Sequence, residues 1–405
     1  MTLFTAPNEL AVVPSARRSQ VARRMTAAIA SGQLELQVCG TCGTVQYPPR
    51  ETCRRCLSDR LAWQVESGAG ELLSRTVLHF SHDPYFRART PWYVGLVRLD
   101  SGPTVLVHLA ADSPRPPARI WVKGRLDRGG GGVLVASGKG DGADSMEDPR
   151  LREMCSNLKG ANVLVTDARQ PHSQAVVRAL AAAGAARIWV GVADPAERPG
   201  VPEALRDLPQ LTGLHLDVTD TTCVEAAAAA IAGEVDILIN TAGLAGIARS
   251  VAGLETARSE MEVHYFGLLH LARHFGAPLS ERASRARLLC PAWVNVLSVS
   301  GLPGHSPWGT YGASMAAARS LSQSLRAQLR EAGVRVVNVY PGPLDDERSQ
   351  EQQVPKLSAT ALAKAIVEGL RAGMEEVFPG EVAQEWLQAN RAQQGSPARA
   401  DEGML

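Results

Sequence analysis

The sequence has almost no surplus charge, few aromatic side chains and no long apolar run, and each shortage narrows what it can do. Forty-two Lys and Arg stand against 41 Asp and Glu, a formal charge of +1. That balance lacks the basic excess with which a dedicated nucleic-acid binder gathers phosphates. Apolar stretches such as 226–232 fall far short of the roughly 20 residues that cross a bilayer, so no membrane association is expected. The first 30 residues carry Arg17, Arg18, Arg23 and Arg24 but no uninterrupted apolar stretch with a small-residue cleavage site, so the expected address is cytoplasmic. Cysteine is scarce and uneven: of 7 in all, four crowd between Cys39 and Cys56 while Cys155, Cys223 and Cys290 are scattered. An odd, clustered set excludes a disulfide framework.

What is present divides a chain of 405 residues, long enough for two or three domains. Trp63, Tyr85, Phe86, Trp92, Tyr93 and Trp121 concentrate the sparse aromatics in the first 130 residues, and the remainder is rich in alanine. Residues 17–31 bring Val21, Met25, Ala28 and Ile29 to one side at helical spacing before Gly32. The runs 72–80, 93–99, 104–109, 120–126 and 133–137 are short, β-branched or aromatic and separated by turn residues, which reads as a small barrel. The segment 138–157 is rich in Gly, Asp and Ser without a hydrophobic period and reads as a linker. Beyond it, apolar strands at 162–166, 187–192, 214–218, 236–240, 293–298 and 334–340 alternate with helices at 174–183, 224–231, 261–274 and 311–331. Such alternation predicts a doubly wound α/β Rossmann-type parallel sheet. Residues 383–405 form a polar tail, a helix giving way to disorder.

Cys39-Gly-Thr-Cys42 and Cys53-Arg-Arg-Cys56 place two thiolate pairs where two turns can converge on one ion. Four thiolates around a tetrahedral ion make a closed structural zinc site with no position for a reacting water. An iron centre or unligated thiols are the alternatives. Gly40 and Gly43 are expected to permit the tight turns that aim backbone N–H groups at the sulfurs.

These cysteines sit in Leu34-Glu-Leu-Gln-Val-Cys39-Gly-Thr-Cys42-Gly-Thr-Val-Gln-Tyr47-Pro-Pro-Arg50, followed by Gly68-Ala-Gly70, Ser74-Arg-Thr-Val77, Pro91-Trp-Tyr-Val-Gly-Leu-Val97 and Asp100-Ser-Gly-Pro103. Over 17–137 the chain resembles the acyl-CoA-associated family that joins a rubredoxin-like zinc ribbon to an OB-fold barrel. The resemblance implies a protein that is not an enzyme by itself but a partner of thiolase-fold enzymes, either thiolases or lipid-transfer-protein-like aldolases, with an acyl-CoA as the shared ligand. An OB barrel also permits oligonucleotide binding, which the neutral charge disfavours. Tyr85, Phe86, Trp92 and Tyr93 read as barrel core and rim, or as an acyl or partner surface.

Over 158–382 the chain resembles the short-chain dehydrogenase/reductase family. The landmarks are Leu216-Asp217-Val-Thr-Asp220, Asp236-Ile-Leu-Ile-Asn240-Thr-Ala-Gly243, Val294-Asn-Val-Leu-Ser298, Tyr311, and Pro341-Gly342. The resemblance implies that Asp217, Asn240, Gly243, Pro341 and Gly342 face an NAD(P) cofactor, and that Ser298 and Tyr311 polarise a carbonyl. Two departures count against this chemistry. The family's glycine-rich phosphate turn reads Thr166-Asp167-Ala-Arg-Gln-Pro171-His172-Ser173, without glycine. There Asp167 sets a carboxylate beside a diphosphate, Pro171 removes an N–H, and Arg169 or His172 offsets only part of the charge. The catalytic lysine is replaced by Met315, and the family's asparagine by His264, either a proton relay or a packed ring. His172 reads as a loop residue. The alanines at 313 and 316–318 suit close helix packing and imply a homodimer or higher oligomer.

Together these expectations describe a zinc-holding accessory or scaffold subunit of acyl-CoA metabolism paired with a thiolase-fold enzyme, its dehydrogenase-like domain impaired in NAD(P) binding and catalysis. The alternative is an NAD(P)-dependent oxidoreductase acting on a hydroxyacyl- or ketoacyl-CoA.

Overall fold

A computed structural model describes residues 13–14, 19–138, 148–152, 158–193, 201–243, 253–285, 290–302, 309–346, 349 and 354–394. Two compact units make up the chain, the first over Met1–Cys155 and the second from Ser156 onward apart from Arg330–Gly333. Of the expected linker at 138–157, residues 139–147 and 153–157 lie outside the described residues, as do 395–405 of the expected tail.

In the first unit, helix α1 (Gln20–Ala30) starts where the Ser19 side chain accepts the Ala22 N–H, and it buries Met25, Ala28 and Ile29. Strands β1 (Glu35–Cys39), β2 (Val45–Gln46) and β3 (Leu61–Val65) form a three-stranded antiparallel sheet in the order β2-β1-β3. Strands β4 (Ala69–Leu78), β5 (Trp92–Leu99), β6 (Thr104–Leu109), β7 (Ala118–Leu126) and β8 (Gly132–Ser137) close a barrel in the order β4-β5-β6-β8-β7. A register shift between Leu72 and Ser74 bends β4 around the closure. Leu72, Val97, Val105, Val107, Ile120 and Val122 alternate inward and fill the barrel, each burial contributing roughly 1.5–3 kcal/mol. A short helix, α2 (Pro84–Arg87), folds Tyr85 and Phe86 against the barrel, and Trp92 Nε1 donates to His108 Nδ1 at 2.9 Å. Tyr85 and Trp92 are buried, while Phe86 and Tyr93 pack partly exposed. One further turn of helix, α3 (Pro149–Arg152), completes this unit.

The second unit runs β9 (Asn162–Val165), α4 (Pro171–Ala182), β10 (Arg187–Val192), β11 (Leu211–His215), α5 (Thr221–Ile231), β12 (Ile237–Asn240), α6 (Leu254–Met261), α7 (Gly267–Arg285), β13 (Ala292–Val296), α8 (Gly309–Arg330), β14 (Arg335–Val339), α9 (Ala359–Ala372), β15 (Glu376–Val377) and α10 (Glu381–Gln394). Its seven strands are all parallel in the order β11-β10-β9-β12-β13-β14-β15. Chain order reverses between β9 and β12, the point where doubly wound sheets place their ligands. Strands β12, β13 and β14 are buried along their whole length, as apolar runs covered on both faces must be.

Two elements differ from expectation. The third strand occupies 211–215 rather than 214–218, because Ile188 pairs with Leu211 and the Asp217 N–H turns away to Cys223 Sγ. The helix expected at 261–274 is α6 and α7 joined by a π-turn over Glu262–Phe266. A side chain on Gly267 would meet Val218 at 2.8 Å, so glycine lets this bend lie against the sheet edge.

Gly191 lies so close to β9 that an added Cβ would stand 2.0 Å from the Thr166 carbonyl oxygen, whereas one on Gly233 would meet nothing within 4 Å. Gly191→Ala should therefore cost at least about 1–3 kcal/mol of stability, and Gly233→Ala should be neutral or better. Urea unfolding of the two variants checks the contrast.

Candidate functional site

The ribbon brings its four cysteines together. The Sγ atoms of Cys39, Cys42, Cys53 and Cys56 all lie within 4.8 Å of one another, with Cys39–Cys56 and Cys42–Cys53 each at 3.6 Å. A tetrahedral ion with metal–sulfur bonds of about 2.3 Å separates its ligands by about 3.8 Å, so the donor set fits zinc. The Thr41 and Arg55 N–H groups each point at the first sulfur of their pair, at 3.4 Å. The hydroxyl and backbone of Thr44 lower the Cys42 thiol to about 6. Cys56 is pushed up to about 12 by the neighbouring sulfurs and burial, although a hydrogen bond from the Ser58 backbone works the other way. Four sulfurs packed together cannot all ionise without a cation among them, and a structural zinc would relieve that conflict. Gly43 takes a positive φ of 68° as its turn requires, but Gly40 does not; the second turn puts Leu57 where the first has Gly43.

In the second unit, β9 leads into the turn that faces the switch point. Thr166 Oγ1 donates to Asn240 Oδ1 at 3.0 Å and accepts the Thr241 N–H, and Thr241 Oγ1 donates to the Asp167 carbonyl at 2.7 Å. These bonds lock the turn to β12. The Asp167 N–H goes to Thr241, the Ala168 N–H to Gly191, and the Arg169 N–H to the Asp167 carboxylate; Pro171 has none. The Asp167 carboxylate is held by the Arg169 guanidinium at 2.8 Å. A diphosphate needs unengaged N–H groups and no carboxylate in that place. The Asp167 carboxylate and the three engaged N–H groups of 167–169 count against one at this turn.

His172 is not in a loop. It occupies the first turn of α4 and is buried, with Nε2 lacking a hydrogen-bond partner, as does the Oγ of buried Ser173 beside it. Burial lowers the His172 pKa, and the carboxylates of Asp346 and Asp345 oppose that shift.

At the catalytic end, Ser298, Tyr311 and His264 converge. Burial pushes the Tyr311 phenol up to about 12; its hydrogen bond with Ser298 works against this, while Glu260 and Asp346 add to it. Ser298 Oγ also lies 2.6 Å from Ser300 Oγ. Met315 is buried in the lysine position, so no ammonium comes from there to favour tyrosinate. The His264 ring stacks edge-on to Tyr311, with Nδ1 2.8 Å from Ser314 Oγ and Nε2 3.3 Å from the Gly243 carbonyl. Both nitrogens have partners and burial lowers the ring to about 4, so His264 is a neutral, packed histidine rather than a relay. The π-turn carries it inward.

The remaining residues inferred to face a cofactor each make contacts within the fold. Asn240 braces the switch point, and Asp217 accepts the N–H and hydroxyl of Thr219. Gly243, at φ 93°, has no room for a side chain beside His264; Pro341 accepts the Val299 N–H; and Gly342 lies against Val382. Sequence reasoning does not single out Glu260 or Asp346. The Asp345-Asp346 pair directly after Pro341-Gly-Pro-Leu344 is a usable signal for the second, and nothing marks the first.

Comparison with known proteins places these features. Residues 26–62 match the family described as "ChsH2, rubredoxin-like zinc ribbon domain", 63–123 "ChsH2, C-terminal OB-fold domain", and 161–356 "short chain dehydrogenase". The galactitol 2-dehydrogenase (L-tagatose-forming) of Cereibacter sphaeroides is 33% identical over 217 residues, covering 51% of this chain and 80% of that protein. The 1-deoxy-11-beta-hydroxypentalenate dehydrogenase of Streptomyces exfoliatus is 29% identical over 206 residues, 49% of this chain and 73% of its own. A short chain dehydrogenase from Burkholderia cenocepacia J2315, solved in complex with NADP, is 31% identical, covers 59% of this chain and 96% of its own, and has a TM-score of 0.51.

Two outcomes follow. Cys39→Ser should release the metal and lower the melting temperature of the first unit, as metal analysis and calorimetry on one sample would show; unchanged values would refute a structural site. His264, at about 4 when folded against about 6.5 unfolded, should make stability fall as pH drops through that window, because the unfolded state takes up the proton first. The loss should be on the order of 3 kcal/mol and should disappear in His264→Asn, measured by urea unfolding between pH 7 and 4.

Proposed function

Because the chain belongs to the short-chain dehydrogenase family and carries a ribbon and barrel of the ChsH2 type ahead of that domain, we propose that it is an accessory subunit of acyl-CoA metabolism. In this reading it pairs with a thiolase-fold enzyme, a thiolase or an aldolase, and its dehydrogenase-like unit supplies shape rather than hydride transfer. One observation carries the reading: both anchors of the dinucleotide are altered together. At one end the N–H groups of Asp167, Ala168 and Arg169 are spent internally, and at the other Met315 stands in the lysine position. Either change alone would suit an enzyme with weaker affinity or altered chemistry. The pair points to a unit kept for packing, docking or holding an acyl-CoA-derived substrate.

The same unit is suited to self-association. Ala313 and Ala316 are exposed on α8, and Phe266 and Leu269 are exposed at the start of α7. Small residues on a long helix permit close approach of a second copy, so the subunit is proposed to be a homodimer or larger oligomer. A cytoplasmic location belongs to the same reading; among the described residues no helix is long and apolar enough to cross a membrane.

A second reading rests on Ser298 and Tyr311, which hydrogen-bond to each other and could together polarise a carbonyl. It would make the protein an oxidoreductase acting on a hydroxyacyl- or ketoacyl-CoA, and the dehydrogenase relatives favour it. Titration with NADH and NADPH followed by nicotinamide fluorescence separates the two. The accessory reading expects no binding in the micromolar range and no turnover of a ketoacyl-CoA; micromolar binding with hydride transfer overturns it. Met315→Lys alone should leave the protein inactive while Asp167 still occupies the turn.

A further inference from the structure

The two turns of the zinc ribbon are built alike but filled differently. In the first, the Gly43 N–H donates to the Cys39 carbonyl and the Cys39 N–H to the Thr44 carbonyl; in the second, the Leu57 N–H donates to the Cys53 carbonyl and the Cys53 N–H to the Ser58 carbonyl. Gly43 and Leu57 therefore hold equivalent places, at φ 68° and 61°. That conformation is free for glycine and sterically costly for a branched side chain. Among the described residues Leu57 is the one non-glycine residue with a positive φ.

Burial does not repay that cost. Leu57 is 76% exposed, the most exposed of the large apolar side chains described. A glycine would serve the turn better, and a polar residue would serve solvent better. A conformationally strained apolar residue held out on a rigid tip is the arrangement expected of an anchor, because a pre-ordered side chain loses little freedom on binding.

Its surroundings specify what it meets. Between Cys53 and Arg60, three arginines, Arg54, Arg55 and Arg60, stand against Asp59 alone, and all four are exposed. Arg60 Nε reaches Thr41 Oγ1, which in turn donates to Ser58 Oγ, so this cation is tied to the same tip. An apolar tip flanked by cations complements an apolar pocket rimmed by carboxylates. Phosphates would use the arginines but would gain nothing from an aliphatic side chain, and no aromatic ring lies between 48 and 62 to stack a base.

We propose that the Leu57 turn of the zinc ribbon is a protein-docking anchor that inserts into an apolar, carboxylate-rimmed pocket on the thiolase-fold partner. This inference rests on the accessory-subunit reading given above. Its test uses the full chain and the thiolase-fold protein that co-purifies with it on co-expression, with affinity measured by calorimetry. Leu57→Gly should keep its metal content and melt at or above the unsubstituted protein, yet bind the partner more than about tenfold more weakly. Leu57→Met, which keeps an apolar reach from the same backbone, should retain affinity within about threefold. The double change Arg54→Glu with Arg55→Glu should weaken binding and flatten its salt dependence. If the partner binds and Leu57→Gly binds it equally well, the anchor is refuted and the accessory reading stands. If no thiolase-fold protein associates with the unsubstituted chain, both fall. Binding of single-stranded RNA that Leu57→Gly leaves unchanged would overturn the anchor in favour of the arginines.

Discussion

The turn that leaves β9 is organised by one partly buried ion pair. Asp167 lies at the end of β9 with its side chain 12% exposed, and Arg169, two residues on, closes over it at 2.8 Å. A carboxylate so placed must stay paired, because leaving it alone in a poorly hydrated site is strongly unfavourable. The turn is therefore committed to a shape in which Asp167 accepts from Arg169 and its backbone is tied to Thr241. An incoming diphosphate would have to draw Arg169 away and then face the carboxylate. Like charges about 4 Å apart cost about 4 kcal/mol at an effective dielectric near 20. The helix dipole of α4 attracts anions with about 0.3–1 kcal/mol, so the carboxylate wins.

The surroundings of Tyr311 carry negative charge as well. Where the family uses a lysine to stabilise tyrosinate, Met315 is apolar, and the charges acting on Tyr311 are the carboxylates of Glu260 and Asp346. A phenol raised to about 12 is an effective hydrogen-bond donor but a poor base at neutral pH. His264 cannot substitute, since one ring nitrogen is engaged by Ser314, the other meets Gly243, and the ring stays neutral down to about pH 4. Carboxylates thus stand at both places, Asp167 in the turn and Glu260 and Asp346 about Tyr311.

Local chemistry decided how much of this could be read beforehand. The cysteine pairs state their own spacing, and the fully buried strands announce themselves as apolar runs, so the cage and most of the sheet are legible. Strand β11 is not, because Thr212 and Gly213 interrupt its apolar pattern and its place is set by pairing with β10. The π-turn at Glu262–Phe266 leaves no mark, since one inserted residue preserves helical composition. His172 looks like a loop residue because Pro171 precedes it, yet proline suits the first position of a helix, and α4 begins there. At the site, the missing glycines and lysine are plain in the sequence. That the N–H groups of Asp167, Ala168 and Arg169 would be taken up by Thr241, Gly191 and the Asp167 carboxylate is a tertiary fact.

The parallel sheet is held by buried polar networks as well as by its apolar core. Trp293 donates to Asn295, Asn295 donates to Ser322 and Asn338, and Ser322 donates to Asn338, all at full burial between α8, β13 and β14. Asp236, 2% exposed at its side chain, is satisfied by Arg282 and the Asn162 N–H. These networks tie β13 and β14 to α8, and β9 and β12 to α7, through the chain's own buried side chains. The first unit is closed in a different sense: its barrel completes its own ladder, and a tetrathiolate cage leaves a metal no open position. On that closed first unit the arginine-flanked Leu57 is the feature the fold itself does not account for, since its backbone is held at φ 61° while its side chain stays 76% exposed.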